Sequence, residues 1–402
     1  MKVLQVNCVY RKGSTGKLTY ELHKGLKGAG ISSVVCYGRG DKVYENGVYK
    51  VCGELESHIY KAYTMLNGLK YSGCFRSTRY LERIIERENP DVVHLQCING
   101  YFVNIYELIQ WLKGKSIPTV LTLHAEFMYT GNCNHSLDCE RWRTGCGNCP
   151  HFEKETHSIF IDNTHKSWKR MQNAFVGFEH LEIVSVSPWL MERAMESPIL
   201  KGMEHSVILN GVDTRSFHYQ DTEALRKEYN ALNKSVFFHA TPSFSVAPDH
   251  FKGGYYVCEL AKIMPDAVFL VAGPYSGDPA IPDNVKLLGW VTDQNKLGQY
   301  YAMADATIIT SKRETFSMVA AESLCCGTPV AGFKAGAPEQ IAIPEYSDFV
   351  EHGNTKALYE AIRSLVSSGF NKNVVSQAAI EKYSSQTMVH NYMKIYEKVS
   401  SL

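Results

Sequence analysis

Short apolar runs alternate with longer segments of helical periodicity along most of this 402-residue chain. Clear runs lie at Val3–Cys8, Ser32–Tyr37, 91–95 and 119–124, and the first two enclose a helical segment at 14–28. Parallel strands are buried on both faces and need a helix to return the chain. The alternation therefore predicts an α/β fold built on parallel sheets.

The alternation is interrupted once and then starts again, which predicts two domains. Residues 126–180 are rich in Cys, His and Gly, and strands resume at 182–187 and 206–210. After a polar stretch at 213–235, a second series begins, with strands at 236–239, 268–273, 306–310 and 329–332. We predict Rossmann-like domains at 1–215, with 126–180 as a Cys-rich insert, and at 216–384, followed by a C-terminal segment at 385–402.

Composition narrows the class of protein. The formal net charge is +1, and no basic tail or nucleic-acid module is present, so we expect no nucleic-acid partner. No apolar stretch approaches the roughly 20 residues that span a bilayer. The segment Met1–Asn7 has the pattern of a first strand rather than of a signal peptide. These features predict a cytoplasmic protein, in which cysteines serve as thiols or metal ligands rather than in disulfides.

The most informative segment is 311–322, which follows a strand and opens a helix near Ser317. A helix start binds phosphate through its free amides, here those of Phe316, Ser317 and Met318. A carboxylate beside a phosphate would be repelled unless it served sugar hydroxyls. Glu314 in the turn and Glu322 in the helix are therefore predicted to hold the sugar and ribose groups of a nucleotide sugar. The alternative is that two glutamates fall at this spacing by chance.

Two further residues have the chemistry of a ligand site. Lys252 is followed by two glycines, which suits a cation placed on phosphates, although a lone lysine is more often a solvated one. His124 follows a predicted strand, and ligands of open α/β sheets bind beyond the carboxyl ends of strands. A lone histidine there is structural more often than not.

The insert contains four closely spaced cysteines, Cys133, Cys139, Cys146 and Cys149. Four thiolates at this spacing suit tetrahedral zinc, which would order a segment of low apolar content. His135 or His151 is an alternative ligand. The other readings are reduced cysteines packed in a loop, a disulfide pair, or a redox-active Cys-x-x-Cys.

The chain resembles the retaining glycosyltransferases of family four, which have the two-domain GT-B fold, and most closely their exopolysaccharide and O-antigen branch of colanic-acid-type transferases. The resemblance extends over essentially the whole chain. It rests on the loop at 13–17, on 90–96, and on Thr122–His124 followed by 130–133 and 142–150.

The resemblance implies a fold and roles for particular residues. Two Rossmann-like domains would face a central cleft, and the helix from Ser385 to Ser400 would cross back onto the first domain. His124 and Glu314 would be catalytic, in contact with the transferred sugar. The further roles that it implies are as follows: donor binding by Gly16, Lys252, Gly273, Trp290, Val291, Phe316, Ser317, Met318 and Glu322, and acceptor contact by His94 and Ser187.

The expected reaction is transfer of a sugar from a nucleotide-diphosphate sugar to a glycan or a polyprenyl-diphosphate-linked glycan, in cell-surface polysaccharide synthesis. Since no carboxylate is placed as a covalent nucleophile, we favour front-face substitution with retention. Lys252 and the helix start would stabilise the leaving diphosphate, so no catalytic metal is expected. Alternatives are a nucleotide-sugar epimerase, a phosphorylase, or a non-catalytic nucleotide-sugar-binding assembly module.

Residues 58–87 combine aromatic and basic side chains, among them Tyr60, Lys61, Tyr63, Lys70 and Tyr71. Such a segment is either a helix pair with a solvated face or a surface that rests on anionic lipid. The second reading predicts a peripheral position at the inner face of the plasma membrane, where a lipid-linked acceptor would be met.

Overall fold

The computed structural model describes residues 1–275 and 281–401. The chain forms two compact units. The first comprises Met1–Leu209 and the C-terminal stretch that begins at Met388, and the second comprises Asn210–Thr387. The units therefore divide near residue 209, six residues before the predicted boundary at 215.

The first unit is built on a seven-stranded, fully parallel sheet of order β3-β2-β1-β4-β5-β6-β7. Its central strands are buried along most of their length, as their apolar sequences require. The strands are β1 (Lys2–Asn7), β2 (Ser32–Tyr37), β3 (Val48–Lys50), β4 (Val92–Leu95), β5 (Thr119–Leu123), β6 (Leu181–Ser185) and β7 (Glu204–Val207).

Helices connect these strands and cover the sheet. They are α1 (Gly13–Gly28), α2 (Glu54–Asn67), α3 (Phe75–Glu88), α4 (Ile105–Gly114), α5 (Phe127–Thr130), α6 (Phe152–Thr156), α7 (Thr164–Phe175) and α8 (Pro188–Glu196). The Cys-rich insert at 126–180 contains α5, α6, α7 and a 3₁₀ turn at Arg141–Arg143, joined by irregular backbone.

The second unit has a six-stranded parallel sheet of order β10-β9-β8-β11-β12-β13. Its strands are β8 (Val236–Ala240), β9 (Val268–Ala272), β10 (Val285–Gly289), β11 (Ala306–Ile309), β12 (Val330–Phe333) and β13 (Ser347–Val350). Its helices are α9 (Glu223–Glu228), α10 (Gly254–Ile263), α11 (Gln294–Met303), α12 (Met318–Cys325), α13 (Pro338–Ile341), α14 (Thr355–Ser367) and α15 (Lys372–Tyr383). The predicted fold class, two α/β domains with parallel sheets, is confirmed.

The last helix, α16 (Ser385–Ser400), packs on the first unit as the resemblance implied. Met388, Val389, Tyr392, Tyr396 and Val399 join the core formed by α1 and the ends of the central strands. The approach is close enough that a Cβ on Gly25 of α1 would collide with Val389. A glycine at this position of α1 therefore admits the C-terminal helix.

Candidate functional site

The strand order of the second sheet brings Lys252 and Glu314 together. The chain leaves β8 for β9 on one side and later returns to β11 on the other, so β8 and β11 are neighbours at a topological switch point. Loops after such a pair diverge and leave a crevice in which α/β proteins bind ligands. Lys252 lies in the loop after β8, and Glu314 lies in the loop after β11.

The two side chains form a direct ion pair. Lys252 Nζ lies 2.6 Å from Glu314 Oε1, and each side chain is 21% exposed. Both groups are thus partly shielded and still reachable from solvent. A cation and a carboxylate held together in a strand-end crevice can bind a diphosphate and a sugar hydroxyl, respectively.

Backbone contacts fix the two loops relative to each other. The Thr310 hydroxyl donates to the Lys252 carbonyl oxygen at 2.9 Å, and the Lys312 amide donates to the Phe251 carbonyl oxygen at 3.0 Å. Gly253 has φ +65°, and a Cβ there would collide with the carbonyl oxygen of Thr310. A glycine is therefore required after Lys252, for close approach of the two loops.

Helix α12 begins at Met318, four residues after Glu314. Ser317 is its N-cap, with φ +82°, and its hydroxyl accepts from the Ala320 amide at 3.3 Å. Phe316 is 3% exposed and anchors the turn in the core, whereas Met318, the first helical residue, is half-buried. The first amides of a helix have no partner within the helix, so this end of α12 favours an anion.

Glu322 lies one turn inside α12, where the hydroxyl of buried Tyr301 donates to its Oε2 at 3.1 Å. The Glu322 side chain is half-buried. The predicted contact of Glu322 with the ribose stays a prediction.

Three other predicted donor-binding residues follow β9 and β10. Gly273 has φ +146°, donates its amide to the Gly289 carbonyl oxygen at 2.7 Å, and has no room for a Cβ beside Thr241. Trp290 is 65% exposed, and Val291 is half-buried. An indole this exposed has surface available for stacking on a planar ligand.

Sequence reasoning passed over two groups near this site. Glu339 accepts from the amides of Ala335 and Gly336, at 3.0 Å each, and so holds the loop that pairs with Glu314, whose amide donates to the Ala335 carbonyl oxygen. His239, on β8, is 3% exposed and bonds through Nδ1 to the Ile308 carbonyl oxygen. Burial lowers its pKa to about 4. The available signal for Glu339 was its position three residues after Gly336, in a loop that follows a strand.

In the first unit, His124 follows the last residue of β5, at the carboxyl end of a central strand. The residue is half-buried, and its Nε2 is shielded from solvent. Burial lowers the pKa of His124 to about 4, so the imidazole is neutral at neutral pH. A neutral imidazole can accept a hydrogen bond from a sugar hydroxyl or donate one to it.

His94 and Ser187, the two residues predicted to contact an acceptor, lie inside the first unit. Both are fully buried. His94 uses both ring nitrogens inside the unit, at 2.7 Å from the Thr122 hydroxyl and 2.7 Å from the Tyr396 hydroxyl. Ser187 is the N-cap of α8 and accepts from the Leu190 amide at 3.2 Å. Each therefore stabilises the first unit through these bonds, and its contact with an acceptor stays a prediction.

Gly16 lies in the first turn of α1 and is buried. A Cβ there would come within 3.1 Å of Val9 Cγ2 and 3.3 Å of the Arg11 amide nitrogen. The glycine thus allows the loop after β1 to pack against the helix start, and its predicted donor contact stays a prediction.

The four cysteines of the insert line one cavity of about 20 Å³. All four are free thiols. Burial raises the pKa of Cys146 to about 12, with the neighbouring cysteines adding to the shift, and its Sγ lies 3.6 Å from the Thr130 carbonyl oxygen. In residues 1–275 and 281–401, no three His, Cys, Asp or Glu side chains are arranged to hold a metal ion. The structure does not arrange these cysteines as the predicted tetrahedral zinc site.

An ionic network anchors the insert instead. Glu126 is completely buried, and its Oε2 lies 3.5 Å from Arg193 Nη2 and 2.5 Å from the Ser136 hydroxyl. The Arg193 guanidinium also stacks over Trp142 and Trp189, at 4.9 and 5.2 Å from the ring centroids. The insert is thus tied to α8 of the first unit.

Part of the predicted lipid-facing segment lies inside the protein. Lys70 is 3% exposed and donates to the Asn132 carbonyl oxygen at 3.2 Å, and Tyr71 is 5% exposed. These two residues cannot contact lipid. Within the described part of the chain, no helix is both long and apolar enough to cross a membrane.

The chain matches two family models. Residues 15–216 match the model described as Glycosyltransferase Family 4, and residues 265–383 match the model described as Glycosyl transferases group 1. The chain belongs to glycosyltransferase family 4. This family retains the anomeric configuration of the sugar, and its members transfer sugars from nucleotide-sugar donors.

Individual relatives agree with this assignment. A chain of Escherichia coli (strain K12), named as the colanic acid biosynthesis glycosyl transferase WcaC, is 22% identical over 99% of this chain and 100% of its own length. Among solved structures, sucrose-phosphate synthase from Thermosynechococcus elongatus superposes with a TM-score of 0.71 at 15% identity, over 100% of this chain and 99% of its own. Anabaena HepE in complex with UDP-glucose gives 0.65 at 15% identity, over 100% of both chains. At such identities the solved structures show a shared fold.

Proposed function

We propose that this glycosyltransferase moves a sugar from a nucleotide-diphosphate sugar to a glycan or lipid-linked glycan during cell-surface polysaccharide synthesis. One observation carries the donor half of the proposal, namely the Lys252–Glu314 ion pair at the start of α12, on the switch point of the second sheet. The similarity to WcaC over the length of both chains supports the second part of the proposal, the role in polysaccharide synthesis.

The two charged groups would bind different parts of the donor. Lys252 and the first amides of α12 bind the diphosphate, which leaves the Glu314 carboxylate to accept hydrogen bonds from the sugar. Glu322, held by Tyr301, binds the ribose, and Gly273, Trp290 and Val291 border the nucleotide. Donor binding thus replaces the Lys252–Glu314 contact with one partner for each charge.

The transfer step then follows on one face of the sugar. The bond from the anomeric carbon to the diphosphate oxygen breaks, the acceptor oxygen bonds to that carbon on the same face, and its proton passes to the departing diphosphate. We propose that neutral His124 contacts the sugar or the reacting centre. Lys252 and the α12 amides stabilise the charge that grows on the leaving group.

A two-stage experiment tests this function. A thermal-shift screen of nucleotide sugars identifies the donor, because a ligand that binds the native state raises its stability. The best donor is then incubated with undecaprenyl-diphosphate-linked or free oligosaccharides, and products are read by mass spectrometry. Transfer that depends on acceptor supports the proposal, whereas conversion of donor to an isomeric nucleotide sugar without acceptor would identify an epimerase. Donor binding with no turnover would identify a binding module.

A further inference from the structure

The loop at 334–337, which connects β12 to α13, holds the backbone of Glu314 on both sides. We call it the bridging loop. The Glu314 amide donates to the Ala335 carbonyl oxygen at 2.9 Å, and the Ala337 amide donates to the Glu314 carbonyl oxygen at 3.2 Å. Glu314 and Gly336 pair as an isolated parallel bridge. Because both backbone groups of Glu314 are bound, the bridging loop fixes the direction in which the Glu314 side chain leaves the backbone.

The carboxylate of Glu339 in turn holds the bridging loop. Glu339 Oε2 accepts from the Ala335 amide and Oε1 accepts from the Gly336 amide, at 3.0 Å each. Each carboxylate oxygen thus binds one of two successive amides. Hydrogen bonds to an ionised acceptor are stronger than those between neutral groups. The two bonds therefore anchor the loop at the point where it contacts Glu314.

The bridging loop depends on this anchor because it has left the strand ladder. The Lys334 amide, at the first residue of the loop, still donates to the Val350 carbonyl oxygen of β13 at 2.8 Å. The next two amides bind Glu339 instead. Gly336 has φ +108° and no side chain that could hold it in place. Loss of the carboxylate would therefore release the segment that forms the bridge to Glu314.

We propose that Glu339 is a positioning residue for sugar transfer, which acts through the bridging loop to aim the Glu314 carboxylate at the sugar. The inference rests on the proposed function, in which Glu314 binds the transferred sugar. Reacting and binding groups must be held closely, since a displacement of about 1 Å can cost about a hundredfold in rate. Glu339 would supply this precision without touching the sugar or the diphosphate.

A role in capping a helix is the alternative for Glu339. The residue lies in the first turn of α13, where a glutamate can accept from amides that precede the helix. A cap alone would lower the thermal stability of the second unit and leave the turnover of folded protein unchanged. A positioning residue changes the turnover of folded protein, and its effect requires Glu314.

A double-mutant cycle between Glu339 and Glu314 separates these two roles. Glu339→Gln keeps the shape of the side chain but presents a donor to one amide in place of an acceptor. The full-length wild type, Glu339→Gln, Glu314→Gln and the double variant are compared. Glu345→Gln is the matched control, since Glu345 is exposed and lies in a 3₁₀ turn shortly after α13. Glu339→Asp, which keeps the charge, is the conservative variant.

Binding and turnover are measured separately. The probe is the member of a panel of UDP-, GDP- and dTDP-hexoses that gives the largest thermal shift, together with its nucleoside diphosphate. Calorimetry gives the affinity for each of the two. Release of the nucleoside diphosphate from the nucleotide sugar, with water or a glycan as acceptor, gives kcat and KM. Circular dichroism shows which variants are folded, and the cycle is run with Glu339→Asp if Glu339→Gln is not.

We expect Glu339→Gln to lower kcat about tenfold or more and to raise KM by less, because the aim of Glu314 changes. Its affinity for the nucleoside diphosphate should stay within about twofold of the wild type, since the diphosphate site is unchanged. Glu339→Asp should recover part of the lost kcat, and Glu345→Gln should equal the wild type. In the Glu314→Gln background, Glu339→Gln should change kcat by less than about twofold.

The contrary results are distinct. An unchanged kcat in folded Glu339→Gln protein would overturn the proposal and leave Glu339 as a cap. The same fold-loss of kcat in both backgrounds would also overturn it, because Glu339 would then act without Glu314. A loss of kcat in Glu314→Gln but not in Glu339→Gln contradicts the role of Glu339 alone. Wild-type kcat and nucleotide-sugar affinity in Glu314→Gln would overturn the proposed function together with this inference.

Discussion

The hydrogen-bonded cluster around His94 predicts a specific acid sensitivity of the first unit. His94 is fully buried between the hydroxyls of Thr122 and Tyr396, and burial lowers its pKa to about 3. The unfolded chain binds a proton at this histidine near pH 6.5, and the native state does not until about pH 3. Acid therefore favours the unfolded state throughout that window.

The size of the effect follows from the pKa difference. Each pH unit below 6.5 costs about 1.4 kcal/mol of unfolding free energy for one such histidine. Going from pH 7 to pH 5 therefore removes about 2 kcal/mol through His94 alone. The loss levels off once the pH falls below the native pKa of about 3.

The variant His94→Gln isolates this contribution. The Gln side chain does not titrate. The unfolding free energy of the variant should be lower than that of the wild type at pH 7. Between pH 6 and pH 5, however, it should fall by about 1.4 kcal/mol less per pH unit than that of the wild type. His390→Gln, on an exposed position of α16, should keep the wild-type slope. Urea unfolding followed by tryptophan fluorescence suits the test, because Trp111, Trp142, Trp168 and Trp189 lie in the first unit. Equal slopes in His94→Gln and wild type would refute the reasoning.

Two other substitutions test the packing of the site and of the insert. Gly253→Ala should destabilise the second unit by at least about 2 kcal/mol in urea unfolding, since it adds a clash to left-handed strain, whereas Gly369→Ala, with φ +59° and open space, should cost clearly less. Equal losses of unfolding free energy in the two variants would show that the clash at Gly253 does not exist. Arg193→Ala leaves Glu126 buried without its cation and should cost about 3 to 5 kcal/mol, while the exposed Lys12→Ala should leave the unfolding midpoint unchanged. A stable Arg193→Ala protein would contradict the anchoring role of the network.

The central strands were predictable because they are buried on both faces and appear as apolar runs. β1, β4, β5, β8 and β9 all lie at predicted positions. The strands β3, β10 and β13 were not predicted. Each lies at the edge of its sheet and is partly exposed, so it lacks a continuous apolar run.

The candidate site was predictable in its residue types and less so in its geometry. Lys252 was identified from the two glycines that follow it, and Glu314 from its place between a strand and a helix. Their contact depends on β8 lying beside β11, which the sequence does not reveal. His94 and Ser187 also lie at strand ends. Their side chains point inward, a direction that position along the chain does not determine. The cysteine spacing likewise predicted proximity correctly, but not whether the thiols form a metal site.

The division of labour between Lys252 and Glu314 is the central claim, and calorimetric binding of the donor and of its nucleoside diphosphate tests it most directly. Lys252→Ala should weaken both ligands about tenfold or more, because it removes a charge-assisted contact to the diphosphate. Glu314→Gln should leave the affinity for the nucleoside diphosphate unchanged or higher. It should also weaken the nucleotide sugar and lower turnover by about a hundredfold or more. Nucleoside diphosphate binding that is unaffected by Lys252→Ala, or reduced by Glu314→Gln as strongly as nucleotide-sugar binding, would contradict the account.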